Sequence, residues 1–386
     1  MVLISIGSLI FFVLLLYLYA RISLSLSLVI VSCFSICTFS GVVSSSGFIF
    51  YLFSIIIFVL FNRISFKKDL LILFFMFLLF LLPILFLSLN NGASEVKSFL
   101  KFFQSVVAIF GLVFISRANI SISQVQMERI CISFIVVNVV FGLVFHLLFN
   151  VYDLGLIRFS GIFFDSNYYG LYCLLLYFSL DLFFKINRLL KLILALMVLS
   201  SLSFSILLIF VMYIILSQKC PKFLMNPFAF FSALVSSMIC YLTLMLAMKK
   251  LSNEAVSNQF IFYKLSSLSH RLSAQFDALD ILTLKHAFFS GMGSGRNLEL
   301  TGRALHHSFL QMIFSHGIIY YLLMISILTL SLKGLDNTLL ITRKYYAIFY
   351  CLLVACFVLD PYATLFFNIV ALLFYAIKSN TVLARG

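Results

Sequence analysis

A chain in which long apolar runs follow one another with only short polar breaks has few ways to fold. Such runs lie at about 2–20, 22–43, 47–62, 69–89, 98–116, 130–149, 162–184, 189–218, 226–248, 304–332, 345–359 and 362–378. Roughly 20 apolar residues as a helix cross the hydrocarbon of a bilayer, and most of these runs approach that length. Backbone amides in lipid must be bonded within their own segment or around a closed barrel. A barrel would alternate apolar and polar residues, and no such alternation is present. The composition is 64% hydrophobic and 10% charged, with a mean hydropathy of +1.19, which excludes an ordinary soluble domain. The expected fold is therefore an all-α integral membrane protein, a polytopic helical bundle of about 12–13 transmembrane segments.

The net charge of +14 would point to nucleic acid in a soluble protein. Here the cations sit in short loops between apolar runs, where they orient the chain and meet anionic head groups, so membrane lipids are the expected partner and nucleic acid is not. The eight cysteines lie in or beside the apolar runs, which indicates neither a disulfide framework nor a zinc site. No basic residue precedes the first run and no small-residue cleavage site follows it, so that run is expected to stay in place.

The run from Leu189 to Ser217 would measure roughly 43 Å as one helix, and it carries Ser200, Ser201, Ser203 and Ser205 at its middle. Charge arbitrates. Two short helices with the serine turn outside gather Arg21, Arg63, Lys67, Lys68, Lys185, Arg188, Lys191, Lys219, Arg343 and Lys344 among the cytoplasmic cations; one continuous helix would turn the upstream cations outward, against the positive-inside tendency. Two helices are therefore expected. The chain divides into an N-terminal bundle (1–248), a long outer loop (249–303) and C-terminal segments (304–386) of one membrane domain. The loop holds too many apolar groups, among them Phe276, Leu279 and Ile281, to be disordered, and one or two short amphipathic helices are expected in it.

The chemistry-bearing residues gather where that loop ends. Gly291, Gly293 and Gly295 recur at every second position; they suit neither a helix nor a strand interior, but bare N–H groups in such a turn can receive an anion such as phosphate. His306 and His307 follow at the start of an apolar run. An interfacial histidine in its plainest role marks the bilayer edge; in its sharper role it is a general base near neutral pH. Adjacent residues on a helix point about 100° apart, so the pair is not expected to share one role. Arg271 and Arg158, with Arg296 and Arg303 as looser candidates, are either interfacial anchors or clamps for a diphosphate, to which a guanidinium offers paired donors. Asn167, beside Asp165 and Ser166, either caps a broken helix or lines a polar cavity. No Asp-x-Asp cluster, Walker loop or nucleotide fingerprint occurs in the outer segments, so no metal ion and no cofactor is expected, and the energy of any reaction must arrive in the substrate.

Two stretches carry a resemblance. Arg158-x-x-Gly161-x-x-x-Asp165-Ser166-Asn167 resembles the Arg-x-x-Gly…Asn element of the O-antigen polymerase and ligase family. Arg271, the Gly291/Gly293/Gly295 turn, and His306-His307-Ser308-Phe309-Leu310-Gln311 with Gly317 resemble its long periplasmic loop and the His-Asn-x-x-Leu-Gln element that closes it. The likeness covers roughly Ile157 to Tyr320. It departs in having His307 at the usual asparagine place, Phe204 where Ser-Arg is often found, and neither the tryptophan nor the proline often seen before the glycines.

The resemblance implies a GT-C-like bundle in the bacterial inner membrane with its active site facing the periplasm. Its donor and acceptor would be undecaprenyl-diphosphate-linked oligosaccharides, joined without a metal, with a chain-length-regulating membrane protein as a candidate partner. On that basis His306 would activate the acceptor hydroxyl, and Arg271 and Arg158 would hold the diphosphate, with Arg296, Arg303 and the three glycines beside them. Asn167 and His307 would line the substrate. Polymerase is favoured over ligase; a transporter or flippase is the reading from another class.

Overall fold

The computed structural model describes residues 2–38, 46–61, 122–149, 159–182, 187–219, 221, 224–225, 227–252, 273–293, 297–302, 305, 307–332 and 339–358. The apolar runs expected at 69–89, 98–116 and 362–378 lie outside these residues. The elements are α1 (Val2–Leu18), α2 (Leu24–Ser35), α3 (Ser46–Phe61), α4 (Gln124–Phe149), α5 (Ser166–Asp181), α6 (Arg188–Ser200), α7 (Phe204–Lys219) and α8 (Pro227–Ser252). They continue with α9 (273–284), α10 (Asn297–Thr301), α11 (Ser308–Leu332) and α12 (Leu339–Val358). Among the described residues no strand forms, only an isolated antiparallel bridge between Thr38 and Phe163.

Gln124–Phe145 has the length and the mean hydropathy, 2.0, to cross a membrane. Several other apolar runs make helices shorter than expected: α2 has 12 residues and α6 has 13, so each rises only about 18–20 Å. The outward faces are apolar. Leu189, Leu192, Leu196 and Leu199 form an exposed stripe on α6, and Val136, Val139, Val140, Leu143 and Leu147 form one on α4, at the three-and-four spacing of one helical face.

Polar groups point inward instead. Ser27, Ser32 and Ser35 of α2 are buried, yet their hydroxyls donate to the carbonyls of Ser23, Val29 and Ser32. A hydroxyl bonded back to its own helix can be buried without leaving an orphan donor, so a serine-rich segment can pack among aromatic rings. Phe34 lies 5.6 Å from Phe12, 5.3 Å from Phe134 and 4.5 Å from Tyr172, centroid to centroid. Phe163 stacks on Tyr172 at 5.0 Å, and the Tyr172 hydroxyl donates to the Cys33 carbonyl at 2.5 Å. These contacts join α1, α2, α4, α5 and the 159–165 loop.

The run expected to break at its serines does break there. α6 ends at Ser200, α7 begins at Phe204, and Leu202 between them takes the left-handed φ of 46°. α5 packs on α6 and α7, and α7 packs on α12, in an order that brings the cations to one end. Asp181, at the last residue of α5, accepts from Lys191 of α6, from Lys344 of α12 at 3.1 Å and from the Tyr213 hydroxyl of α7 at 2.8 Å. Lys344 also donates to the Asp181 carbonyl at 2.6 Å. Arg343 caps the Gln218 carbonyl at the end of α7, at 2.9 Å. The serine turn lies at the opposite end, beside the start of α5.

Candidate functional site

Two polar places stand out against this apolar frame. The first is the 159–167 loop, which carries the glycine and asparagine of the first sequence element. Gly161 adopts φ 57° over Asn138, the buried amide of α4. Asn138 donates to its own helix at Phe134 O, 2.9 Å, and its Oδ1 accepts the Ile162 N–H at 3.2 Å. A Cβ on Gly161 would collide with that amide. Gly161→Ala is therefore expected to lower stability by about 2 kcal/mol, from the left-handed backbone and the displaced amide together. Thermal denaturation in detergent checks it; an unchanged melting temperature would contradict this packing.

Asn167 had two open roles, and the structure assigns neither. Asp165 is the cap of α5, its Oδ1 accepting the Asn167 N–H at 2.8 Å. The Asn167 side chain accepts from Ser203 Oγ at 2.6 Å and so ties the start of α5 to the serine turn. Phe159 N–H donates to Ser200 O at 3.2 Å and fastens the same turn from the other side. Asn167 stands at this junction.

The second place is built on α11. Gly317 sits inside that helix at φ 85°, ψ 169°, which breaks the run of intrahelical bonds and frees carbonyls one turn earlier. The freed groups are taken up by the glycine segment: Met292 N–H donates to Phe314 O at 2.7 Å and Gly293 N–H to Ser315 O at 3.0 Å. In return Ile318 N–H donates to Phe288 O at 2.9 Å. Gly291, at φ 74°, donates to Ala287 O at 2.7 Å. The expectation that Gly291 and Gly293 offer bare N–H groups to a phosphate is corrected here, because both donors are already bonded to main-chain carbonyls. Their glycine character has another cause. A Cβ on Gly291 would stand 2.6 Å from Ser315 O, so only a glycine lets the two backbones approach.

The histidine turn precedes α11. His307 is 1% exposed and caps the helix: its Nδ1 accepts the Leu310 N–H at 3.1 Å. A ring nitrogen that accepts carries no proton, so the hydrogen of the neutral imidazole belongs on Nε2. The ring lies against Tyr241 of α8, 4.0 Å between centroids. His307 is thus corrected from a substrate-lining residue to a buried cap, since its burial leaves no surface for a saccharide. His316 packs its ring on Tyr320 at 4.6 Å.

Sequence reasoning missed Tyr241 and Gln275. The Tyr241 hydroxyl donates to Gln275 Oε1 at 2.5 Å, and Gln275 Nε2 donates to Leu305 O at 3.0 Å. Gln275 is buried on the face of α9 that also carries Ala278, Leu279 and Leu282; an amide in that apolar stripe was the legible signal. α9 and α10 are short helices within the long loop, as expected of it. The candidates His306, Arg158, Arg271, Arg296, Arg303 and Gly295 lie outside the described residues. No protein-family model, no curated protein and no solved structure matches this chain.

Proposed function

We propose that the chain is a polytopic membrane glycosyltransferase of the O-antigen polymerase type, transferring an undecaprenyl-diphosphate-linked oligosaccharide onto a second lipid-linked repeat unit at the outer face of the bacterial inner membrane. One observation carries most weight in its support. Two parts of the long loop, each next to or part of a motif of the resemblance, pack along the segment that leads into α11: α9, just after Arg271, at Leu305, and the glycine segment at Phe314 and Ser315. Gln275 reaches Leu305, and Met292 and Gly293 bond to α11.

The chemistry follows from the groups assigned. The acceptor hydroxyl attacks the anomeric carbon of the donor, the bond from that carbon to the diphosphate oxygen breaks, and the diphosphate departs with the electron pair. His306 takes the hydroxyl proton. Arg271 and Arg158 hold the charge that grows on the leaving group, by paired guanidinium donors. Since the donor arrives as a diphosphate, its leaving group is already good.

Complementation of a strain that lacks its O-antigen polymerase and makes the matching repeat unit tests this reading, with variants compared at equal membrane abundance. The parent and His307→Ala at a permissive temperature are expected to restore a polysaccharide ladder. His306→Ala and Arg271→Ala are expected to collapse it to a single repeat. A normal ladder from those two removes the catalytic assignment. Free polymer accumulating in cells without the protein would identify a ligase, and loss of even the single-repeat band would identify a flippase.

A further inference from the structure

The turn that ends α9 keeps its polar groups to itself. His286 N–H donates to Thr283 O at 3.2 Å and Ala287 N–H to Leu282 O at 2.9 Å, with His286 at the left-handed φ of 50°; this is a Schellman cap, in which crossed bonds close the last helical carbonyls. Lys285 N–H donates to Ile281 O at 2.9 Å, and Thr283 Oγ1 to Leu279 O at 2.7 Å. None of these donors needs water, so the turn can enter an apolar environment without an orphan amide.

The apolar side chains of the loop divide around this turn. Phe276, Leu279, Ile281, Leu282 and Phe288 are buried or partly covered, whereas Leu284 is 78% and Phe289 66% exposed. Lys285, between them in the chain, is exposed as well. Large apolar side chains flanking a cation are the composition of a contact with a membrane interface, where the stem and rings bury and the ammonium stays with the head groups. A lysine in the last turn also complements the negative end of the helix dipole, but that accounts for neither Leu284 nor Phe289. The turn is also tethered. Ile318 N–H donates to Phe288 O and Met292 N–H to Phe314 O, which fastens the residues on both sides of Phe289 to α11, part of the apolar run 304–332.

We propose that Leu284, Lys285 and Phe289 form a foot on which the long loop rests in the outer leaflet. The two apolar side chains lie among the upper acyl chains, and the lysine ammonium meets a phospholipid phosphate. This rests on the polytopic reading above and not on the transfer chemistry. Its consequence for that chemistry is height: the foot keeps the loop at the head-group level, where a lipid-linked diphosphate presents its phosphates.

The chain contains no tryptophan, so one introduced indole reports its own surroundings. Leu284→Trp, Phe289→Trp and, on the exposed stripe of α6, Leu192→Trp are each reconstituted as the full chain in phosphatidylcholine and phosphatidylglycerol vesicles. Both tip tryptophans are expected to lose fluorescence to lipids brominated near the head group more than to lipids brominated near the chain ends, and to resist aqueous acrylamide. Adding Lys285→Glu to Phe289→Trp is expected to weaken the lipid quenching and strengthen that by acrylamide; unchanged quenching overturns the part given to the lysine. Acrylamide quenching of both tip tryptophans without lipid quenching, while Leu192→Trp is quenched by lipid, overturns the foot and leaves the polytopic reading standing, and it is the result that a docking surface for another protein would give. Tip emission that follows the protein-to-lipid ratio overturns the foot in favour of contact between copies of the chain. Leu192→Trp untouched by brominated lipid overturns the polytopic reading itself.

Discussion

Gly317→Ala is expected to lose about 4 kcal/mol of stability, which for a chain of ordinary margin means failure to accumulate in the membrane. Two effects add. At φ 85° an L side chain costs about 1–2 kcal/mol by its own sterics. The new Cβ would also fall inside the carbonyl of Phe289 and within 2.8 Å of Ser290 N. That neighbour is backbone, held in place by the Ile318–Phe288 and Met292–Phe314 bonds, and cannot swing aside as a side chain would. Moving it sacrifices the bonds that satisfy Phe314 O and Ser315 O, and a buried carbonyl left unbonded costs roughly 1–3 kcal/mol. Abundance of a tagged protein in membranes, followed by melting in detergent, reads the outcome. Parental abundance and melting would show that the glycine segment is not seated in the break of α11.

Asp181→Ala is expected to cost about 3 kcal/mol, the lower end for removing one partner of a buried ion pair. The carboxylate is 8% exposed, whereas Lys191 and Lys344 are 29% and 21% exposed, so the stranded ammonium groups regain part of their hydration by extending outward. The loss also leaves the Tyr213 hydroxyl without its acceptor and loosens the joint among α5, α6, α7 and α12. Combining Asp181→Leu with Lys191→Met and Lys344→Met is expected to recover most of the melting temperature, because an apolar cluster of similar volume carries no desolvation cost. If Asp181→Ala melts with the parent, or if the triple variant is worse than the single, the charge cluster is not what joins these helices.

Much of this architecture is legible without coordinates. The break at Ser200–Ser203 and the gathering of Lys191 and Lys344 away from it follow from charge placement along the chain, because cations have a preferred side of a membrane. The helix at 273–284 shows in the sequence in Phe276 and Leu279 at helical spacing. The glycine segment was legible as irregular backbone, but its partner was not. Whether an N–H is bare depends on which carbonyl another segment has freed, and Gly317 frees Phe314 O and Ser315 O from within a helix 21 or more residues further along. His307 was likewise readable as a residue at a helix start, and only Tyr241 lying on its ring shows it to be buried.

Sequence by itself determined the helical class of the chain and the spacing of its motifs, since hydrophobicity and local backbone preference act over a few residues and survive in the linear pattern. The tertiary structure decided which polar groups are spent on holding the fold: the glycine N–H groups on the break in α11, His307 on its cap, Asn167 on the serine turn, and Gln275 and Tyr241 on the turn before α11. Those assignments depend on pairings between distant segments, and a hydrogen bond is satisfied only by the geometry of both partners at once.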